Sequence, residues 1–336
     1  MSLSKVFITP LIHNSSKQIT YARVRNPSTI LYKNFTQNTR STLQTQIKKR
    51  TIKEILFAPA GDGAFTLGRG ALAGGSALGL AALCYYGLGL SRDVGTLDKS
   101  ILWPEIVRER VRNTYAYFGS SLIFTAGSAY YISKNPKILN MFARNSWISI
   151  GLTFVAVIAS GALCRSIPYT DEGLFAKHVT WILHNGVLGA VIAPLSMLGG
   201  PLLIKAAVYT AGVIGGLSMV AACAPSEKFL SMNGPLAIGL GTVFVASLGS
   251  MFLPPTTMLG AGLYSISVYG GLLVFSLFLL YDTQKIVKIA ENYPTNQIAC
   301  PYDPINASMG IYMDTLNIFM RIAMILAHGG SSNRRK

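Results

Sequence analysis

The chain contains eight apolar segments of roughly 20 residues, and these segments constrain its fold more than any other feature. A mostly apolar segment of that length can cross the hydrocarbon core of a bilayer as a helix. Since backbone polar groups in lipid must bond within their own segment, we expect every span to be helical. The segments lie near 70–90, 115–132, 146–164, 179–199, 203–223, 235–253, 258–281 and 305–327. The sequence therefore predicts an all-α, multi-pass membrane protein whose first partner is the lipid bilayer.

Composition and charge support this class and exclude others. Hydrophobic residues make up 51% of the chain and charged residues only 12%, whereas soluble domains carry about 25% charged residues. The net charge of +16 arises largely at one end, because residues 1–53 hold ten Lys and Arg and no Asp or Glu. No folded basic face with interleaved aromatics is evident, so nucleic acid is not an expected partner.

The first 50 residues have the composition of a targeting segment. They are basic, acid-free and rich in Ser, Thr, Asn and Gln, which is typical of a mitochondrial transit peptide. The alternative is a disordered cytosolic tail. The predicted organisation is a transit peptide over 1–50, a basic pre-membrane segment over 51–69, a transmembrane helix over 70–91, a soluble or interfacial linker over 92–113, a membrane bundle over 114–328 and a basic tail over 329–336.

Loop charges predict the orientation of the spans. With eight spans both termini lie on one side, together with the 133–145 loop, and this side is almost purely basic. The loops on the opposite side carry mixed charge, with acidic residues at 93, 98, 105, 109, 171, 172, 227, 291 and 303. Because basic loops stay on the side from which a membrane protein inserts, both termini should face the matrix in a mitochondrial inner membrane.

Two aspartates inside the last two apolar segments are the main functional candidates. Asp282 ends the seventh segment and Asp314 lies in the last one, where ionisable residues are costly and usually functional. Two carboxylates in a low-dielectric site can share one proton or bind a hard cation such as calcium. The alternative is structural: Asp282 caps a helix end, and Asp314 pairs with Arg321 on the face it shares with Asn317.

Other residues offer weaker signals. His184, in the fourth segment, fits either a proton relay or a hydrogen-bonded packing residue. Tyr281, Gln284 and Asn317 could supply neutral oxygens around the aspartates. Walker A, HExxH, GxSxG and dinucleotide motifs are missing, and neither aspartate stands in the GxGD setting of aspartyl intramembrane proteases. We expect no enzyme activity and no cofactor.

The runs YDTQK and IYMDTLNIF resemble the paired-aspartate signature of the Bax-inhibitor (transmembrane Bax inhibitor motif) family. The likeness extends from about residue 52 to the end of the chain. It implies a seven-helix bundle with a central last helix, to which the Gly-rich first segment is added as an extra N-terminal helix. It also implies that Asp282 and Asp314 form a proton-sensitive latch on a calcium path, with Arg144 as the candidate for a basic residue that joins it.

The resemblance implies a function as well. A mitochondrial member of this family would exchange calcium for protons across the inner membrane and contribute to cristae organisation and the control of apoptosis. Its implied partners are calcium, protons, cytochrome c and a matrix-facing AAA protease. The alternative is a scaffold without transport activity that maintains cristae, retains cytochrome c and modulates the protease.

Overall fold

The computed structural model describes residue 54, residues 57–59, and the ranges 63–91, 93–143, 147–225, 227–294 and 301–333. The predicted transit peptide and Arg144 lie outside these residues. In the described ranges the regular elements are helices, joined by turns and two isolated β-bridges. The predicted all-α class is confirmed.

Eleven α-helices are described in these ranges. They are α1 (Gly63–Gly87), α2 (Thr96–Ser100), α3 (Glu105–Lys134), α4 (Pro136–Ala143), α5 (Trp147–Ser166), α6 (Leu174–Ile192), α7 (Gly200–Cys223), α8 (Asn233–Phe252), α9 (Met258–Ser265), α10 (Gly271–Asn292) and α11 (Pro304–Asn333). A π-helical turn at Ile266–Gly270 joins α9 to α10, and a 3₁₀ turn at Ala193–Leu198 follows α6.

Seven helical stretches of the described chain are long and apolar enough to cross a membrane. They are α1, α5, α6 with its 3₁₀ turn, α7, α8, the continuous α9–α10 stretch and α11. The 30-residue α3 is also long enough, but its first two turns carry charged residues that lower its apolar character. It packs against α6 and α11 inside the bundle. The core of the bundle is thus α3 and α5 to α11, with α1 added to it.

The boundaries differ from the predicted ones where charged residues continue a helix beyond the apolar run. Helix α3 begins at Glu105, so the predicted interfacial segment and the following span form one helix. Helix α10 continues to Asn292 through a charged end that includes Lys288 and Glu291. Helix α1 begins before residue 70 and ends at Gly87, since Gly89 adopts φ 68 there, a left-handed conformation that favours glycine.

The last helix is the centre of the bundle, as predicted. One side of α11, with Ile311 and Ile318, packs on Leu279 of α10 and Ala206 of α7. Its other side, with Tyr312 and Leu316, packs on the α6 residues around Leu188. The outer helices instead expose large apolar side chains, as expected of surfaces that face lipid. Because α11 is enclosed on both sides, Ser308, Asp314 and Thr315 on this helix are buried inside the protein.

Contacts between helix ends define two opposite ends of the bundle. At one end Trp103 donates to Glu291 at 2.7 Å and Arg110 donates to the Tyr293 carbonyl at 2.9 Å. We call this the acidic end, because the loop and helix-end carboxylates gather there. They are Asp93, Asp98, Glu105, Glu109, Asp171, Glu172, Glu227, Glu291 and Asp303. The other, basic end joins Met258 to Ala58 and contains Lys134 and Lys205.

Candidate functional site

The two aspartates meet at the interface of α10 and α11. Asp282 lies ten residues before the end of α10 at Asn292, and Asp314 lies ten residues after the start of α11 at Pro304. Because these consecutive helices pack antiparallel, equal distances from the shared connection place both residues at the same depth. The two carboxyl groups lie close enough to interact with each other, and one proton held between them would allow a hydrogen bond at this approach.

Burial makes this carboxyl pair unusual. Asp314 is 5% exposed, and its Oδ2 atom is buried without a hydrogen-bond partner among the described residues. Asp282 is more accessible, with 13% of its side chain exposed and Lys285 Nζ 3.9 Å from its Oδ1 atom. A buried carboxylate oxygen without a donor is costly unless it is protonated or binds a cation. The carboxyl pair can therefore be stabilised by a bound proton or by a cation taken from solution.

A glycine allows the close approach of the two helices. Gly310 lies one turn before Asp314 on α11, and a Cβ atom added there would overlap the Asp282 carboxylate. Only glycine leaves the Asp282 side chain in this position against α11. Sequence reasoning did not single out Gly310, since its role depends on the register of α10 against α11.

Asp282 opens into a cavity of about 400 Å³ at the acidic end. The same cavity is lined by Arg165 at the end of α5, by Lys285 and by Asp303. Lys285 and Arg165 are therefore the two basic side chains that share this cavity with Asp282. Arg144, the residue proposed from the sequence, lies outside the described residues. Arg165 follows an apolar run at a helix end, where a snorkelling residue is also expected, so its role could be recognised only in three dimensions.

A buried lysine fixes the start of α11. Lys177 is fully buried, and its Nζ atom lies 2.6 Å from the Asp303 carboxylate. It also donates to Asn306 Oδ1 at 2.9 Å and to the carbonyls of Cys164 and Ile167 at 2.8 and 2.9 Å. One ammonium group thus ties α6 and the end of α5 to the beginning of the helix that carries Asp314.

Arg321 does not pair with Asp314. Its guanidinium donates to Asn317 Oδ1 at 2.9 Å and to the Ser267 carbonyl of the π-helical turn at 3.3 Å, and it stacks on Phe275 with 4.5 Å to the ring centroid. Asp282 is likewise in the interior of α10 and does not cap its end. The structural alternative raised by the sequence does not describe either aspartate.

The remaining predicted residues occupy different places. Tyr281 is half-buried, with Lys285 Nζ 5.7 Å from its ring centroid. Gln284 uses its side chain on backbone groups, accepting from Phe229 N at 2.8 Å and donating to the Pro225 carbonyl at 2.7 Å. Neither it nor Asn317 lines the cavity at Asp282. His184 is buried 2.9 Å from the Ser160 hydroxyl, which is the contact expected of a packing histidine.

Comparisons with known proteins identify relatives of this chain. The chain is 54% identical over 288 residues to growth hormone-inducible transmembrane protein of Rattus norvegicus, covering 85% of this chain and 82% of that protein. It is 27% identical over 235 residues to Bax inhibitor 1 of Rattus norvegicus, covering 68% and 90%. It is 26% identical over 224 residues to a BI1-like protein of Arabidopsis thaliana, covering 65% and 80%. No solved structure matches the chain.

A family model described as inhibitor of apoptosis-promoting Bax1 matches residues 107–332. The match covers α3 to α11 almost entirely and leaves α1 outside it. The bundle with its central last helix and the similarity to these relatives lead to one conclusion: the chain is a membrane protein of the Bax-inhibitor family.

Proposed function

We propose that the protein moves calcium across a membrane in exchange for protons and that Asp282 and Asp314 form the switch. The observation that carries this proposal is the close approach of the two carboxyl groups, of which Asp282 lines the acidic-end cavity. The described residues contain no cluster of three or more His, Cys, Asp or Glu side chains that could hold a metal ion. Two acids without such a cluster suit a cation that passes through and exchanges, since a resident calcium ion takes about 6–8 oxygen ligands.

Protonation would decide whether the site accepts a cation. With one proton held between them, the carboxyl groups bond to each other and keep α10 and α11 together. When that proton leaves, two negative charges face each other in a low-dielectric interior and repel unless a cation neutralises them. Calcium entry and proton release are thereby linked, so the flux should rise with pH on the cavity side.

Two basic side chains oppose cation entry in the structure described here. Arg165 and Lys285 line the same cavity as Asp282, and their positive charges repel a divalent cation. In this proposal the cavity accepts calcium only after these side chains swing away from Asp282. In this proposal the described arrangement is the closed state of the latch.

We further propose that the protein acts in the mitochondrial inner membrane, with both termini in the matrix. The basic, acid-free composition of residues 1–50 supports mitochondrial import. The separation of a basic from an acidic end supports the orientation. We propose no enzyme activity and no cofactor, with calcium as the transported ion. Control of apoptosis is proposed in accord with the names of the family and of rat Bax inhibitor 1.

A scaffold that organises cristae, retains cytochrome c or modulates a matrix-facing AAA protease is the second candidate function. One observation favours it. Gly70, Gly74 and Gly79 of α1 have open space where their side chains would be, so part of this helix is not used for packing in the bundle. Gly70 and Gly74 are four residues apart, a small-xxx-small spacing that allows another transmembrane helix to approach closely.

Calcium-loaded liposomes with an imposed pH gradient test the transport proposal. Because calcium that leaves the lumen is exchanged for protons that enter it, purified full-length protein should release calcium faster when the lumen is more alkaline than the outside. Asp282→Asn and Asp314→Asn should remove both the flux and its dependence on pH. Asp171→Asn is the matched control, because it alters an exposed carboxylate at the same end. Flux that is indifferent to both latch substitutions would contradict the switch. Absence of flux, with cristae restored by both variants in cells that lack the protein, would favour the scaffold.

A further inference from the structure

A long apolar groove on the surface of the bundle is separate from the aspartate site. It has a volume of about 840 Å³ and lies between α3 and α7, with α11 forming its floor. This volume is within the range of about 300–1,000 Å³ that is typical of small-molecule sites. Helices α3 and α7 make few direct contacts and are bridged by α11 and the Ala193–Leu198 turn, so the groove is a gap between two membrane-spanning helices.

The walls of the groove suit a hydrocarbon chain. About two thirds of the lining residues are apolar, with small residues such as Ala207, Ala211 and Gly215 along α7. These three positions are exposed, so the groove is open at its side. From Gly200 to Gly215 the wall extends for about 22 Å, at about 1.5 Å of rise per residue. One leaflet of the hydrocarbon core is about 15 Å thick, so a full acyl chain can lie along this wall.

One end of the groove is polar and basic. Lys134, Tyr130, Ser133 and Ser196 line this mouth, and Lys134 is the one charged residue among the described residues that line the groove. Its Nζ atom lies 5.1 Å from the centroid of the Tyr130 ring. Lys137 follows one turn later on α4, which packs against both α3 and the Ala193–Leu198 turn. Both lysines are exposed, so their charges are available to a ligand at the membrane surface.

None of the described residues that line the mouth is acidic. The sequence contains no Asp or Glu between residues 110 and 170 or between residues 173 and 226. These two runs provide both walls of the groove and the turn at its mouth. Apolar walls at membrane depth and uncompensated positive charge at the interface match the two parts of an acidic phospholipid.

We propose that this groove is a binding site for one phospholipid with an anionic headgroup. One acyl chain lies between α3 and α7 against Leu316 and Phe319 of α11, and the phosphate is bound by Lys134 and Lys137. This lipid enters from the leaflet at the basic end, on the opposite side of the membrane from the aspartate cavity. The site does not depend on whether the protein transports calcium.

Native mass spectrometry of the full-length protein in detergent tests this site. The probes are phosphatidylglycerol and phosphatidylcholine with identical acyl chains. We expect one tightly held phosphatidylglycerol per chain, and a preference over phosphatidylcholine that falls about fivefold for each lysine removed in Lys134→Gln and Lys137→Gln. Arg112→Gln is the matched control, since it removes an exposed charge from the opposite end of α3 and should leave the preference unchanged. A wild-type protein without the preference, or lysine variants that keep it, would overturn the proposal.

A second measurement identifies the occupant of the groove in a membrane. A photo-reactive side chain at Ala211 should cross-link to phospholipid in vesicles of phosphatidylcholine and phosphatidylglycerol and in native membranes. A cross-link to a second copy of the chain or to another protein in its place would show that the groove is a protein interface and reject the lipid site. The variant Ala211→Phe should lower retention of both lipids, because its ring occupies the space of the acyl chain. Unchanged retention would place the bound lipid elsewhere.

Discussion

At the scale of single residues, the absence of a side chain at Gly310 lets the Asp282 carboxylate approach α11. Gly310 gives the Asp282 carboxylate its place against α11. Elsewhere in the bundle a helical glycine mainly weakens its helix, by about 1 kcal/mol relative to alanine. At Gly310 the same loss of helix stability is accompanied by a close approach of α10 to α11, which brings Asp282 and Asp314 together.

Gly310→Ala should therefore separate the aspartates while leaving both of them in the chain. We expect calcium flux and its dependence on pH to decrease as strongly as in Asp314→Asn. The overlap should also destabilise the protein by about 1–3 kcal/mol, as is usual for overpacking. Liposome flux and thermal unfolding in detergent measure the two effects. Gly119→Ala is the control, since a Cβ atom there meets open space; a similar loss of flux in this variant would contradict the explanation.

Lys177 is the second residue whose effect can be predicted from its surroundings. Lys177→Met should destabilise the protein by about 3–5 kcal/mol, because it leaves the Asp303 carboxylate without its buried partner. Lys288→Met removes an exposed lysine 3.0 Å from Glu227 and should cost no more than about 1 kcal/mol. Unfolding in detergent compares the two variants, and equal losses would show that the Lys177 cluster contributes no special stability.

At the scale of elements, α1 is attached to the bundle through two of its glycines. Gly68 lies against Tyr269 of the π-helical turn, and Gly75 lies against Leu273 of α10. Other glycines of the same helix face open space. The glycines of α1 therefore form two groups. One group packs on the bundle, and the other remains available to a partner.

Gly75→Val should detach α1, whereas Gly79→Val should not. Both substitutions add the same side chain to the same helix, but only the first collides with Leu273. Hydrogen–deuterium exchange should increase along α1 in Gly75→Val and remain near the wild-type rate in Gly79→Val. Equal exchange in both variants would mean that the observed packing does not hold α1 in place.

At the scale of the whole molecule, charge is distributed between the two ends of the bundle. The acidic end carries the cavity that leads to Asp282, and the basic end carries the mouth of the apolar groove. The two candidate sites therefore open on opposite sides of the membrane. The positive-inside rule assigns the basic end to the matrix under the proposed location.

Cysteine labelling in mitochondria tests this orientation. A cysteine in place of the exposed Glu172 at the acidic end should react with an impermeant thiol reagent once the outer membrane is opened. A cysteine in place of the exposed Asn140, which lies in α4 at the basic end, should react only after the inner membrane is also permeabilised. The reverse pattern would invert the predicted topology, and reaction of both cysteines in the first step would exclude it.

The sequence by itself determined the class of fold. Long apolar segments require helices in a membrane, whatever their arrangement. The same logic singled out Asp282 and Asp314, because a carboxylate in an apolar segment needs a reason to be there. These features depend on the composition and length of single segments, and both are visible in the sequence without knowledge of the tertiary structure.

Only the tertiary structure decided which of these residues meet. Arg321 shares a helical face with Asn317 and donates to its side chain. Its guanidinium also donates to the Ser267 carbonyl of the neighbouring π-helical turn, and it does not pair with Asp314. Arg165 joins the aspartate cavity from a distant helix, and Gly310 admits Asp282 through the register of α10 on α11. The physical reason is that hydropathy reflects the free energy of transferring a segment from water into lipid. This free energy is similar for many different arrangements of the same helices. The contacts between helices depend on shape and register, and these exist only once the bundle has formed.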